Sequence, residues 1–413
     1  RALHNWAERS ELEKRLAHNS RRQRATRHLR LEDLKLTSKF IAAVLLSTLL
    51  PTASFASASL AKDPRISKPN SFIDAQNCLT IDKTYGEGFS KIASSGFPRP
   101  ESSIVGKTLG KILVLPINFT DYIFLDSDRT SYQNSFNSTI KFYKKISWAR
   151  FNVSFEWAPK EKWIDLPHEA SYYGITNNKP QQDNQLVAVE AIANADESLN
   201  LGQYEAVFII TNSFKESGGG QAFIGSNFQS KSGIVKNSML MFGRGVSGWP
   251  NVAHELGHAL FALEDLYLFQ IQGGQQVKQN TKSFTAWDLM AGSTPDFSGW
   301  NKLLMGFINK NEIKCLDDSK RKIIFLSLLD LKGGTKLGVI NLEPGVSVCF
   351  EAKKDYDGSI GLLIYEVNTN FDHGNGPFWG EDSLLKKGKT TEFEGAKFKV
   401  LGSSKEGVLV QIN

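Results

Sequence analysis

The residues from Ala253 to Leu260 read A-H-E-L-G-H-A-L, an H-E-x-x-H pattern. On a helix, residues four apart share a face, so His254 and His258 can aim both imidazoles at one point. Neutral imidazole is a common zinc ligand. Glu255 sits one step round the helix, where its carboxylate can reach a water at the metal without binding the metal itself. That is the position of a general base in metal-assisted hydrolysis.

The pattern does this chemistry only on a helix with one face in a core. Leu256, Leu260 and Leu263 repeat at helical spacing and mark that face. Asn251, after Trp249-Pro250, is the expected N-cap. Upstream, Lys111–Phe119 is a near-continuous apolar run, expected as a central strand covered on both faces, with Pro116 as a weak point or bulge. Ser131–Trp148 reads as a helix burying Phe136, Ile140, Phe142, Tyr143 and Ile146, and Phe151–Trp157 as an alternating strand. Gln185–Asn200 reads as helix, and Tyr204–Thr211 and Ser238–Phe242 as buried strands. Gly218-Gly219-Gly220 reads as a flexible loop, since it lacks the Lys-Ser/Thr of a phosphate cradle. Strands alternating with helices imply an α/β class for this part.

Charge and composition narrow the partners. Residues 1–39 hold eleven Lys and Arg against five Asp and Glu, and the whole chain is +6, so residues 40–413 balance. The basicity belongs to the front and gives no footprint for nucleic acid on the folded part. Phe40–Leu50 is a short apolar run behind Lys35 and Lys39, followed by Pro51 and the small residues Ala53–Ala58. This is the layout of a signal peptide spanning 40–58, cut after Ala56 or Ala58, and the run is too short to span a bilayer. Export without stable membrane insertion is therefore expected. The sequence opens on Arg rather than Met, and 1–39 is set apart as a non-native or over-extended segment. Residues 59–106 carry Pro64, Pro69, Pro98 and Pro100 with little periodicity and read as a pro-segment or linker. A catalytic domain is expected over 107–310. From 311 to 413, short β-like runs at 322–329, 336–342, 347–352, 362–368, 397–401 and 407–412 imply a β-rich domain, a sandwich.

Several separated motifs carry a family resemblance. Beyond H-E-L-G-H-A-L come Asp265-Leu266-Tyr267, Trp287-Asp288-Leu289-Met290, Ser298-Gly299-Trp300-Asn301-Lys302 with Leu304-Met305-Gly306-Phe307-Ile308, and Gly361–Val367. In this order they resemble the secreted zinc metallopeptidases of the immune inhibitor A type, over roughly residues 110–370. The resemblance implies a zincin-like α/β catalytic domain, one catalytic zinc ion and an acidic third ligand. In that family a glycine three residues after the second His ends the helix sharply. Here that residue is Phe261, and the stretch to D-L-Y is one residue longer. On an unbroken helix Asp265 would lie roughly 10 Å along the axis from His258, far beyond a zinc–oxygen bond of about 2 Å. The helix must break between the two. Anchoring on D-L-Y selects Asp265, and counting from His254 selects Glu264. The resemblance also places Met290 beneath the metal, where its alternative is plain core packing. Asp288 stands either behind a His ligand or as a turn cap.

Other candidates are weaker. His168 and His373 are available to polarise a carbonyl or to sit on the surface. Asp355-Tyr356-Asp357-Gly358 is a possible structural calcium loop, with an ordinary turn as its alternative. Among three cysteines, Cys315 and Cys349 share the C-terminal region and are the expected disulfide, with Cys78 unpaired. The function expected is a secreted zinc endopeptidase acting on protein or peptide substrates. The alternative is an inactive secreted binding protein on the same scaffold.

Overall fold

Apolar side chains on both faces make the first long strand central. In this computed structural model the run becomes β1 (Leu109–Asn118), and the sheet around it has the order β2-β1-β4-β8-β5 with β3 also on β1. These strands are β2 (Asn152–Trp157), β3 (Ile164–Asp165), β4 (Ala206–Ile210), β5 (Gly219–Phe223) and β8 (Ser238–Phe242). A hairpin of β6 (Phe228–Ser230) and β7 (Gly233–Val235) stands apart. The strands β1, β2, β3, β4 and β8 are parallel, whereas β5 runs antiparallel to β8 at the edge. Pro116 is accommodated without a break. It falls after β2 pairing ends at Val114↔Trp157 and before β3 pairing begins at Ile117↔Ile164. The structure describes residues 59–83, 92–175, 184–211, 219–242, 248–266, 284, 286–292, 294–317, 321–371, 376–380 and 383–413. The expected 1–39 segment, the signal peptide 40–58, Tyr267, Gly218 and His373 lie outside them.

Alternation along the strands feeds two cores. Ile112, Val114, Phe208, Ile210, Met239 and Met241 face one side, against α1 (Asp126–Ile146) and α3 (Trp249–Phe261). Leu113, Leu115, Ile117, Val207, Ile209 and Leu240 face the other, against α2 (Asn184–Asn194). Helix α1 starts earlier than its hydrophobic pattern, because the Asp128 carboxylate accepts from the Leu125 N–H and closes the first turn. Its buried face includes Tyr132 and Thr139, while Ile140 is only half-buried. Phe136 stacks on Phe155 with centroids 4.1 Å apart, and the Tyr143 hydroxyl donates to the Ala253 carbonyl at 2.8 Å. Each such aromatic stabilises by about 2–3 kcal/mol through burial. The hydroxyl bond fixes α3 against α1 one residue before His254.

After the short helix α4 (Gly299–Leu304) the chain turns to strands. These are β9 (Ile313–Leu316), β10 (Lys322–Ser327), β11 (Leu337–Glu343), β12 (Val346–Lys354), β13 (Ile360–Asn368), β14 (Phe378–Gly380), β15 (Thr390–Phe393), β16 (Ala396–Ser404) and β17 (Gly407–Ile412). They form two sheets, β14-β13-β12-β11-β9 and β10-β17-β16-β15. Residues of both, such as Val348, Phe350 and Ile364 with Phe398, Val400 and Val410, share one core.

The stretch 59–83 and 92–106 is packed into the same compact unit, which runs from Ala58 to Asn413. Leu60 and Ile66 cover Ile323, Phe325 and Leu409, and the Trp300 indole N–H donates to the Ser95 carbonyl at 2.8 Å. The disulfide is Cys78–Cys315, with Cα atoms 5.6 Å apart, and not Cys315–Cys349. The register gives the reason. Val339 of β11 pairs with Cys315 on one side and Cys349 on the other. Two strand spacings put those cysteines roughly 10 Å apart, beyond disulfide reach. Cys349 is a buried free thiol. Among the described residues no helix is long and apolar enough to cross a membrane.

Candidate metal centre

Helix α3 presents His254 and His258 one turn apart, and the cap differs from the sequence reading. Gly248 is the N-cap, and Trp249 and Pro250 open the helix, so Asn251 is already inside it. Proline suits that first turn because its missing N–H would have had no partner there. The core-facing Leu256 and Leu260 are fully buried. Leu263 is also buried but lies beyond the helix, which ends at Phe261.

The break comes at Ala262, which is left-handed at φ 52°, ψ 42°. The chain then doubles back, and Asp265 returns to the two histidines. Its Oδ1 lies 3.1 Å from His254 Nε2 and 3.2 Å from His258 Nε2. The two Nε2 atoms are themselves 3.1 Å apart. Among the described residues this is the grouping of three His, Cys or acidic side chains able to hold an ion, with ligand atoms within 4.8 Å of one another. Glu264 is buried but is not part of that group.

The outer nitrogens of both imidazoles are engaged. His254 Nδ1 lies 3.0 Å from the Leu289 carbonyl, and His258 Nδ1 lies 2.6 Å from the Leu263 carbonyl. Carbonyls only accept, so each Nδ1 is a donor and each Nε2 faces inward, where it can bind a metal once it has shed its proton. Tetrahedral zinc with bonds of about 2.0–2.1 Å would hold its ligand atoms about 3.3 Å apart. The donor set therefore fits such an ion in type and spacing.

Charge reinforces the arrangement. Burial works to raise the Asp265 carboxyl, but the imidazoles of His258 and His254 outweigh it and hold Asp265 far below the carboxylate range. Burial pulls the His254 imidazole down, but the hydrogen bond to Asp265 and the charges of Glu255 and Asp265 push it up to about 9. Glu255 is 8% exposed. Burial raises its carboxyl, opposed by the two imidazoles and the Ala222 N–H of β5. Its side chain lies over Gly220, where an added Cβ would fall 2.9 Å from Glu255 Cγ. The glycine pair Gly219-Gly220 thus opens the edge strand rather than forming a loop, and Gly220 leaves the space Glu255 fills.

Met290 is fully buried under α3, and a Cβ on Gly257 would stand 2.9 Å from its sulfur. Asp288 caps the turn instead of backing a histidine. Its carboxylate accepts from the N–H groups of Met290 and Ser298 and from the Asn301 amide, at 2.8, 2.7 and 3.0 Å. The same turn delivers the Leu289 carbonyl to His254, so Asp288 still fixes that ligand through backbone. His168 is exposed and stacks on Tyr172 with centroids 3.9 Å apart. The Asp355–Gly358 stretch is a reverse turn between β12 and β13. Lys386 Nζ lies 3.3 Å from Asp355 Oδ2, an ammonium where a calcium ion would need a carboxylate to itself.

No family model matches the chain, and no curated protein matches it. Among solved structures it is similar to metalloproteinase-II from Bacteroides fragilis, at 14% identity and a TM-score of 0.23, over 50% of this chain and 54% of that one. The chain thus spans about half the length of the structure it matches, and at that similarity the match decides neither fold nor activity.

Proposed function

We propose that the chain is a secreted zinc metallopeptidase that cuts within polypeptides, with His254, His258 and Asp265 as the protein ligands and Glu255 as the general base. The observation that carries this reading is the convergence of two Nε2 atoms and one carboxylate oxygen at 3.1–3.2 Å, beside the buried carboxyl of Glu255. When bound, zinc supplies Lewis acidity, which acidifies water and polarises a carbonyl. Glu255 takes the proton of the attacking water and passes it to the leaving amine nitrogen.

The edge strand β5 supports a peptide substrate. Its outer side has no partner strand among the described residues, so an extended peptide can add to it by main-chain hydrogen bonds. That would lay the substrate beside Glu255, which contacts both Ala222 and Gly220 of β5. The Cys78–Cys315 disulfide supports an oxidising, exported setting.

The test is metal content and hydrolysis of casein or a quenched peptide by protein beginning at Ser59. We expect one zinc per chain and activity abolished by a chelator and restored by zinc. Stoichiometric zinc without hydrolysis of any polypeptide would overturn this reading and leave the binding-protein alternative or a zinc hydrolase of non-peptide bonds.

A further inference from the structure

The end of α3 is held from outside by a stretch that precedes the sheet. Arg99 Nη2 donates to the Phe261 carbonyl at 2.6 Å and to the Ala262 carbonyl at 3.0 Å. Its Nη1 donates to the carbonyls of Ser94 at 2.7 Å and Gly96 at 2.9 Å. The Ser94 N–H adds a second bond to the Ala262 carbonyl at 2.9 Å, and the Ile104 N–H donates to Leu260 at 2.8 Å. The last carbonyls of a helix have no intrahelical partner and carry the negative end of its dipole. A planar guanidinium fork can serve several of them at once, which an ammonium cannot.

What this grip fixes is the geometry of the metal centre. Ala262 is left-handed, a conformation that costs any residue with a Cβ and costs glycine little. The residues after it supply the Leu263 carbonyl to His258 Nδ1 and the Asp265 carboxylate to both Nε2 atoms. Were Ala262 to relax towards the helical region, the helix would run on and carry Asp265 away from the histidines.

We propose that Arg99 is a positioning residue for the metal centre: together with the Ser94 N–H it locks Ala262 in the left-handed conformation and so aims Asp265. This rests on the metallopeptidase reading above. Arg99 does from a distance what a glycine at 262 would do by lacking a Cβ. The stretch 92–104, expected from sequence to belong to a pro-segment or linker, then completes the site and has to stay with the catalytic part.

The test uses cobalt(II) as the probe, on the full chain and on Arg99→Met and Arg99→Lys, each with and without Ala262→Gly. Affinity is read by competition with a chelator, ligand set by the visible absorption bands, and folding by circular dichroism. Arg99→Met should weaken cobalt binding by about ten- to a hundredfold, the range for groups that orient metal ligands. It should also shift the visible bands as the carboxylate is released. Arg99→Lys should fall between, and it carries the comparison if Arg99→Met does not fold. Ala262→Gly should recover most of the loss in either background, because glycine needs no clamp. A merely structural arginine would lower thermal stability while the folded protein kept its affinity and its spectrum. Wild-type affinity in both arginine variants, or no recovery with Ala262→Gly, overturns the proposal while leaving the metal site standing. Failure of the unsubstituted chain to take up cobalt or zinc overturns the metallopeptidase reading itself, and this inference with it.

Discussion

Glu255 lies across the backbone of Gly220, so closely that a Cβ there would come within 2.8 Å of its carboxyl carbon. The proposed general base and the edge strand are therefore fitted to each other. Gly220→Ala should push the carboxylate off its position without touching His254, His258 or Asp265. A displacement on the order of 1 Å costs roughly a hundredfold in rate. We expect kcat to fall by about that factor at unchanged zinc content, measured on one purified sample. Full activity in Gly220→Ala would mean that Glu255 has room to spare and that its fit to β5 is incidental.

Glu255→Gln tests the base itself. The amide keeps the shape and both imidazoles but cannot take a proton. Zinc should remain at one per chain while peptide hydrolysis drops by about 10²–10⁴, the usual contribution of general acid–base catalysis. Loss of zinc together with activity would instead make Glu255 a ligand.

The third ligand separates two neighbouring acids. Asp265 touches both histidines, whereas Glu264 stands outside the group. Removing a true ligand leaves two imidazoles and water, so Asp265→Ala should lose zinc to a mild chelator that leaves the wild type loaded. Glu264→Ala should keep its zinc under the same conditions. The opposite pattern would transfer the role to Glu264.

How much of this was readable in advance depends on how local the cause is. The spacing of His254 and His258 follows from helix geometry alone, and the motif after the helix pointed to Asp265. The means by which Asp265 returns was not legible, because nothing about alanine announces a left-handed turn. The group that holds Ala262 there is Arg99, far away in sequence. Gly219-Gly220 looked like a loop because glycine is poor in strands, and the reason for Gly220 is a side chain on another element. The expected Asn251 cap failed for a local reason, since Gly248 already has the extended geometry of an N-cap and Trp249 and Pro250 open the helix. Cys315 and Cys349 were paired by proximity in sequence, but a strand lies between them.

The cysteine arrangement makes its own prediction. Cys78 and Cys315 are bridged and Cys349 is buried. Unfolding without reductant should expose one alkylatable thiol per chain, and reduction should expose three, counted by intact mass. The bridge ties the leading stretch to β9 across a long loop, and removing it by Cys78→Ser should lower stability by about 2–4 kcal/mol. Two or more thiols before reduction would contradict the pairing.

Lys336 predicts a pH dependence of stability. Its side chain is fully buried and donates to the carbonyls of Leu328, at 2.8 Å, and Leu331, with the Trp148 ring 5.2 Å from its Nζ. Burial lowers it to about 8, with Glu312 and Asp330 opposing and Lys302 and Arg150 adding to the shift. In the unfolded chain a lysine titrates at about 10.4. Between those values the unfolded state holds a proton that the folded state has shed, so this group makes stability rise with pH in that window. Below about 8 its penalty is complete and constant. Other groups titrate nearby, among them the Cys349 thiol, which burial raises well above its usual range. The informative quantity is therefore the difference between wild type and Lys336→Met. Losing the two carbonyl bonds shifts the variant's stability by an amount independent of pH. Only the lost titration changes the slope. Urea midpoints at pH 7.5 and 9.5 should show the wild type gaining on Lys336→Met as pH rises. Parallel changes in the two proteins would mean that Lys336 keeps its ordinary proton affinity inside the fold.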